Sequence, residues 1–458
     1  MKFEPHPYQR RAIDWVLSHP RCGLFMEMGL GKSVCTLTAI QELKDDLMVG
    51  RVLVIAPKKV AESTWSDEAA KWDHLDLTVS VVMGTPAQRR EALRADADLY
   101  VTGRDSVVWL EGLKAGKERP AFDMVVIDEL TSFKSSGSQR FKAMKRLLPS
   151  VVRVVGLTGT PAPNGMLDLW AQIYCLDGGE RLGRFVTKYR EKYFNSIIHN
   201  NIPIKTWPKP GAAEEITAKI ADICFSMKAA DYLDLPPVTF TDVAVRLDNT
   251  VAEGYRRFER DRVAVFRQAT TDGVVTAQNA AALVNKLAQY ANGCVYDEEG
   301  GEVEIHRAKL DMLMELVEKA ASPVLCFYAY RHDLRRIMGA APKGLRVRAY
   351  EGDADLKAWN AGKVDLLLAH PASTAYGLNM QSGGHVIVWF STGWNLELYQ
   401  QANARLHRQG QTVPVSVHNL VATGTVDERM CDALRGKTEN QDSVVRRLAM
   451  QIAKDKRR

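Results

Sequence analysis

The sequence predicts an α/β protein built as two doubly wound parallel-sheet lobes with helical insertions. Three observations predict it. Short, wholly apolar runs alternate with longer, polar, helix-periodic stretches. That alternation stops near Asp177 and resumes near Pro323, so there are two sets of it. The 458 residues are enough for two or three ordinary domains.

In the first set, Arg51 to Pro57 (RVLVIAP), Met124 to Asp128 (MVVID) and Val152 to Thr158 (VRVVGLT) are too apolar for strands with one wet face. Strands buried on both faces of a parallel sheet read this way. Ala61 to Trp72 and Pro86 to Leu93 are the polar, periodic stretches between them. After Asp177, Asn195 to Gly211 is polar and holds three prolines, which predicts a long loop. Ala212 to Ala230 reads as a helix that ends before Leu235-Pro236-Pro237, where a hinge is expected. Asp248 to Asn292 carries many charges and few turn signals, which predicts a helical pair. The second set follows: Pro323 to Ala329, Arg346 to Tyr350, Val364 to His370, His385 to Phe390 and Val415 to Val421. Ser443 to Arg458 reads as an amphipathic helix ending KDKRR. The expected boundaries are a first lobe over residues 1–230 (its insertion at 177–230), a hinge and helical insertion over 231–304, a second lobe over 305–440, and a basic tail over 441–458.

Composition narrows the class. Hydrophobic residues make up 46% and charged ones 25%, as in a globular protein in water. No secretory leader and no bilayer-spanning apolar run stand out, so the expectation is a cytoplasmic protein with no membrane partner. The seven cysteines form no C-x-x-C pair, which argues against a zinc site or a disulfide framework. The net charge of +6 is compatible with a polyanionic partner or with an ordinary surface.

Four constellations carry chemistry. The first is FMEMGLGKS, Phe25 to Ser33. Gly29, Leu30 and Gly31 let backbone N–H groups wrap phosphate oxygens, Lys32 supplies a point charge, and the Ser33 hydroxyl suits a Mg²⁺ ion. Val34 to Leu43 supplies the helix whose positive end meets the anion. The second is Asp128-Glu129 at the end of an apolar strand, where such sheets bind ligands. Asp128 would hold Mg²⁺, partly through water, and Glu129 would deprotonate an attacking water. The third is Thr158-Gly159-Thr160 at another strand end, able to couple the acid pair to a neighbouring surface. The fourth is Gln401, Arg405 and Arg408, at i, i+4 and i+7, hence on one face of a predicted helix. Two guanidinium forks suit the charge that develops on a transferring phosphoryl group. A phosphate loop in one lobe and this pair in the other predict a nucleotide hydrolysed as lobes close.

These residues resemble the superfamily-two helicases and translocases, above all the Swi/Snf-type ATPases, in the short form carried by phages. Pro7-Tyr8-Gln9 is similar to the family's adenine-reading motif, MEMGLGKS to motif I, Val54 to Trp65 to motif Ia, and Val101 to Ser106 to motif Ib. Asp128-Glu129-Leu130 resembles motif II, Leu157 to Asn164 motif III, and Val324 to Tyr330 motif IV. Tyr376 to Met380 resembles the end of motif V, Gln401 to Gln411 motif VI, and Gly424 to Glu428 the closing segment. The resemblance implies two RecA-like lobes, ATP and Mg²⁺ as cofactors, and Gln9 on the adenine. It implies coupling through Thr158, Thr160, Gly377 and Asn379. It also implies a DNA track, double-stranded DNA favoured, with Lys58, Lys59, Thr102, Arg104, Arg331 and Ser373 as candidate contacts. A strand-separating DNA or RNA helicase is the alternative. An ATP-gated clamp or loader for a partner such as a nuclease is a third. Phage replication or recombination proteins, or a nuclease, are partner candidates besides DNA.

Overall fold

The computed structural model describes residues 1–199, 202–228, 231–232, 235–271, 277–297, 299–374 and 378–438, with side chains omitted at 198–199, 202–205, 262–271 and 277–281. It separates into two compact units, Met1–Leu233 with the residues from Lys437 onward, and Asp234–Gly436. The expected basic tail at 441–458 and Gly377 lie outside the described residues.

The first unit carries β1 (Arg21–Met26), β2 (Val52–Ala56), β3 (Val79–Val82), β4 (Leu99–Gly103), β5 (Met124–Asp128), β6 (Arg153–Thr158), a hairpin of β7 (Phe194–His199) and β8 (Ile202–Pro208), and β9 (Cys224–Met227). Its seven-stranded sheet has the order β3-β4-β2-β5-β6-β1-β9, parallel throughout. The apolar runs fill its centre: every residue of β2 and β6 is buried. Gly156 of β6 leaves room for two leucines; a Cβ there would meet Leu130 at 2.6 Å and Leu176 at 3.0 Å. Crossover helices therefore pack close on the strand that separates β5 from β1. Helix α1 (Pro7–Ser18) starts with proline at its first turn and a capping box between His6 and Gln9. Helix α2 (Lys32–Asp45) follows β1.

The second unit carries β10 (Val238–Val245), a small hairpin of β11 (Cys294–Tyr296) and β12 (Glu302–Glu304), then β13 (Val324–Phe327), β14 (Val347–Ala349), β15 (Leu366–Ala369), β16 (Val386–Trp389) and β17 (Val415–Ala422). Its six-stranded sheet, β10-β17-β16-β13-β15-β14, is also parallel throughout. Successive residues divide between two cores, as the period of two demands. Leu325, Phe327, Leu367, Ile387 and Trp389 pack on one face. Val324, Cys326, Leu366, Leu368 and Val388 pack on the other. At the centre of the sheet both faces are dry, as predicted for apolar parallel strands. The helical pair expected over 248–292 is present as Asn249–Thr271 and Ala277–Asn292.

Three local expectations need correction. Asn195 to Gly211 is no loop: β7 and β8 pair antiparallel there, with an irregularity at Ile197/Ile198 that absorbs Pro203. The helix from Ala212 ends at Ile220, and Cys224–Met227 becomes edge strand β9 beside β1. Residues 231–304 hold more than a hinge and helices, because Val238–Val245 joins the second sheet beside β17. No helix among the described residues is long and apolar enough to cross a membrane.

Candidate active site

Strand order brings the first three constellations together. β6 lies between β5 and β1, with Asp128 level with Leu157 and Phe25 level with Thr158. The phosphate loop, the hydroxyl turn and the acid pair thus leave three adjacent strands at their carboxyl ends, where open parallel sheets bind ligands. Gly29 and Gly31 have φ of 84° and 79°, a left-handed backbone that glycine adopts without strain. Gly31 is also crowded: a Cβ there would stand 2.6 Å from Gln9 Nε2. Gln9 donates across 3.5 Å to the Leu30 carbonyl, so the expected adenine-reading residue rests on the phosphate loop. Ser33 is half-buried in the first turn of α2.

The Lys32 ammonium donates to the carbonyls of Met26 (2.9 Å) and Glu27 (3.3 Å). Burial lowers its pKa, while the charges of Glu129, Asp128 and Glu27 oppose that shift. Burial raises the pKa of Asp128, and a hydrogen bond from the Trp65 indole, the Lys32 charge and the Glu129 backbone oppose it. That indole N–H donates to Asp128 Oδ2 across 3.0 Å. Trp65 closes the stretch likened to motif Ia but was not among the expected site residues. A tryptophan that far from its carboxylate in the chain gives no sequence signal. The five-residue π-helical turn Val60–Thr64 that delivers it is visible only in the fold. Glu129 has φ of 57°, a strained conformation for a residue with a Cβ. Thr158 Oγ1 accepts from the Thr160 N–H across 3.0 Å, and Thr160 Oγ1 is buried with no hydrogen-bond partner among the described residues.

The donor set fits a phosphate-bound Mg²⁺ better than a caged resident ion. Among the described residues no cluster of three His, Cys, Asp or Glu could hold a metal. One hydroxyl and one carboxylate beside a phosphate loop are the protein share that Mg²⁺ usually takes.

In the second unit, the helix expected to carry the arginine pair is shorter. It spans Leu396–Asn403, and Arg405 and Arg408 lie in the turns after it. Bonds from Arg405 N to Ala402 O and from Leu406 N to Asn403 O tighten the chain there. The two side chains converge nonetheless. Both Nη1 atoms donate to the Leu378 carbonyl at 3.1 Å, and Arg405 Nε donates to Gln401 O. Gln401 is buried, and its side-chain amide donates to Glu397. The exposed Asn379 is adjacent to Leu378 and accepts from Asn360.

The nucleic-acid candidates divide into two groups. Lys58, Lys59 and Arg104 follow the neighbouring strands β2 and β4, at whose ends Ala56 pairs with Gly103. Both lysines are exposed and Arg104 is half-buried. Thr102 is fully buried, its hydroxyl donating to the Val82 carbonyl, so its side chain does not reach the surface. Arg331, exposed, and Ser373, bonded to the His370 carbonyl, follow the neighbouring strands β13 and β15.

The family model of the SNF2-related domain matches residues 8–290. The chain is 36% identical over 459 residues to putative protein p41 of Acyrthosiphon pisum secondary endosymbiont phage 1, spanning 96% of this chain and 97% of that protein. It is 25% identical over 461 residues to the mouse (Mus musculus) protein named DNA annealing helicase and endonuclease ZRANB3, spanning 94% of this chain and 40% of that one. A solved structure of the Sulfolobus solfataricus SWI2/SNF2 ATPase core in complex with dsDNA is similar over 98% of this chain and 95% of its own, at 22% identity and a TM-score of 0.47. With its two parallel sheets and its phosphate loop, acid pair and arginine pair, the chain belongs to the SNF2-related family of superfamily-two, ATP-hydrolysing enzymes.

Proposed function

We propose that this protein is a sequence-independent double-stranded DNA translocase. Lys32, Ser33 and Asp128 hold the triphosphate and its Mg²⁺, and Gln9 reads the adenine. When bound, the metal supplies charge neutralisation at the phosphates. Glu129 takes the proton of the attacking water, and Arg405 and Arg408 stabilise the phosphoryl group once the second unit reaches it. Thr158, Thr160, Gly377 and Asn379 pass the state of the site to the DNA track. Lys58, Lys59, Arg104, Arg331 and Ser373 grip phosphates on that track, so binding ignores sequence. Thr102 is left out because its hydroxyl is spent inside the sheet.

The observation that carries this reading is the convergence of three strand ends. Lys32, at the start of α2 after β1, Asp128, at the end of β5, and the Thr158–Thr160 turn, at the end of β6, follow three strands that lie side by side. A phosphate loop alone would bind nucleotide; the acid pair beside it can hydrolyse one. ATP hydrolysis measured on duplex DNA of increasing length tests the motor. The rate should rise with length and then level off, and a triplex-forming strand should be displaced without unwinding of a forked duplex. A rate independent of both DNA and its length rejects translocation.

A further inference from the structure

We propose that the segment between the Leu169–Asp177 and Ala212–Ile220 helices is a second duplex-DNA contact, outside the track named above. Residues 178–211 hold seven of the chain's 61 Lys/Arg and two of its 55 Asp/Glu, a balance of +5. The rest of the chain, at 54 against 53, is close to neutral. The segment's own balance is thus nearly as large as the net charge of the whole chain.

The fold displays this charge on a braced platform. In the Val186–Tyr193 helix, Tyr189 and Tyr193 turn inward. The Tyr189 hydroxyl donates to the Met166 carbonyl across 2.7 Å, close after the Thr158–Thr160 turn. The basic residues are left outside. Lys188 and Lys192, one turn apart, share a flank, and Arg190 lies on the other. Their local pairs, Lys188–Glu191 and Lys192–Glu215, are surface pairs of the kind a phosphate displaces at little cost. Arg184 and Arg190 are exposed and form no ion pair among the described residues. The β7–β8 hairpin adds Trp207 and Ile197, 39% and 53% exposed, from the same face of the ribbon. A segment carrying both exposed cations and exposed apolar side chains fits a sugar–phosphate backbone, and its described residues show no base-reading fork held in place. The occupant is thus duplex DNA held through its phosphates. This rests on the proposed action on DNA, and deepens it.

The test is fluorescence anisotropy of a labelled duplex with the full chain, over a series of salt concentrations. R184E/R190E, checked for folding by circular dichroism and melting, should bind about tenfold more weakly and lower the log Kd–log salt slope by about 2. R184K/R190K should bind as the parent does, and the milder R184A/R190A should fall between. Unchanged affinity and slope in folded R184E/R190E, while the parent binds duplex, overturns this contact and leaves the translocase reading intact. Failure of the parent to bind duplex overturns the translocase reading itself. Displacement of the parent's duplex by poly-glutamate at charge-matched concentrations assigns the surface to acidic protein instead.

Discussion

Replacing Trp65 with phenylalanine tests whether the indole holds Asp128 in its working form. The change keeps most of the buried ring, which is 1% exposed, and deletes the N–H that reaches Asp128 Oδ2 at 3.0 Å. A hydrogen bond to a charged acceptor is worth about 1.5–3 kcal/mol. That bond is the first of the influences opposing the effect of burial on this carboxylate. Without it the pKa of Asp128, already raised, goes higher. The group is ionised above its pKa and protonated as pH falls through it, so the acid limb of ATP hydrolysis should move to higher pH. At 1.36 kcal/mol per tenfold, the lost bond corresponds to roughly 10–100-fold in rate or metal affinity at neutral pH. The assay is steady-state ATP hydrolysis against free Mg²⁺ at several pH values, beside a thermal melt. A folded Trp65→Phe protein whose Mg²⁺ half-saturation and pH profile match the parent's would refute the positioning role.

Three further outcomes are expected. Glu129→Gln should bind a fluorescent ATP analogue like the parent and lose at least ~100-fold in turnover, because it removes the proposed general base; normal turnover in single-turnover assays would reject its role. Gly31→Ala should weaken ATP binding at least ~10-fold, since alanine at φ 79° costs about 1–2 kcal/mol and its Cβ would collide with Gln9; equilibrium titration reads this directly. Lys309→Met should destabilise the second unit by about 3–5 kcal/mol, because it leaves the buried Asp427, now 2.6 Å from the ammonium, without its cation. Urea unfolding followed through the buried Trp359 and Trp389 measures that cost, and adding Asp427→Asn should recover part of it.

Much of the fold was legible because parallel strands buried on both faces must be apolar. VLVIA, MVVID and RVVGLT stand out for that reason, and all became central strands. What was missed lies at edges. β9 is four residues long and follows a helix within a few positions, so the helical pattern seemed to run through it. The β7–β8 hairpin hides behind its prolines, which an isolated ribbon tolerates and a central strand would not. β10 is exposed along most of its length and has no apolar run to announce it. At the site, spacing pointed to Gly29–Ser33 and to Asp128-Glu129, but not to neighbours such as Trp65 that folding brings to them. Spacing also placed Arg405 and Arg408 on a helix that ends before either. Their common acceptor, the Leu378 carbonyl, restores the convergence by a route the spacing does not contain. Thr102 illustrates the converse: a hydroxyl at a strand end looks available until its burial is known.

The central claim is that a guanidinium from the second unit completes hydrolysis of an ATP held by the first. Arg408 is the cleaner probe, because it is half-buried while Arg405 is packed. In single-turnover assays on saturating duplex DNA, Arg408→Ala should bind a fluorescent ATP analogue within about threefold of the parent and hydrolyse ATP some 10³-fold more slowly. Hydrolysis at the parent rate in a folded Arg408→Ala protein would contradict the claim.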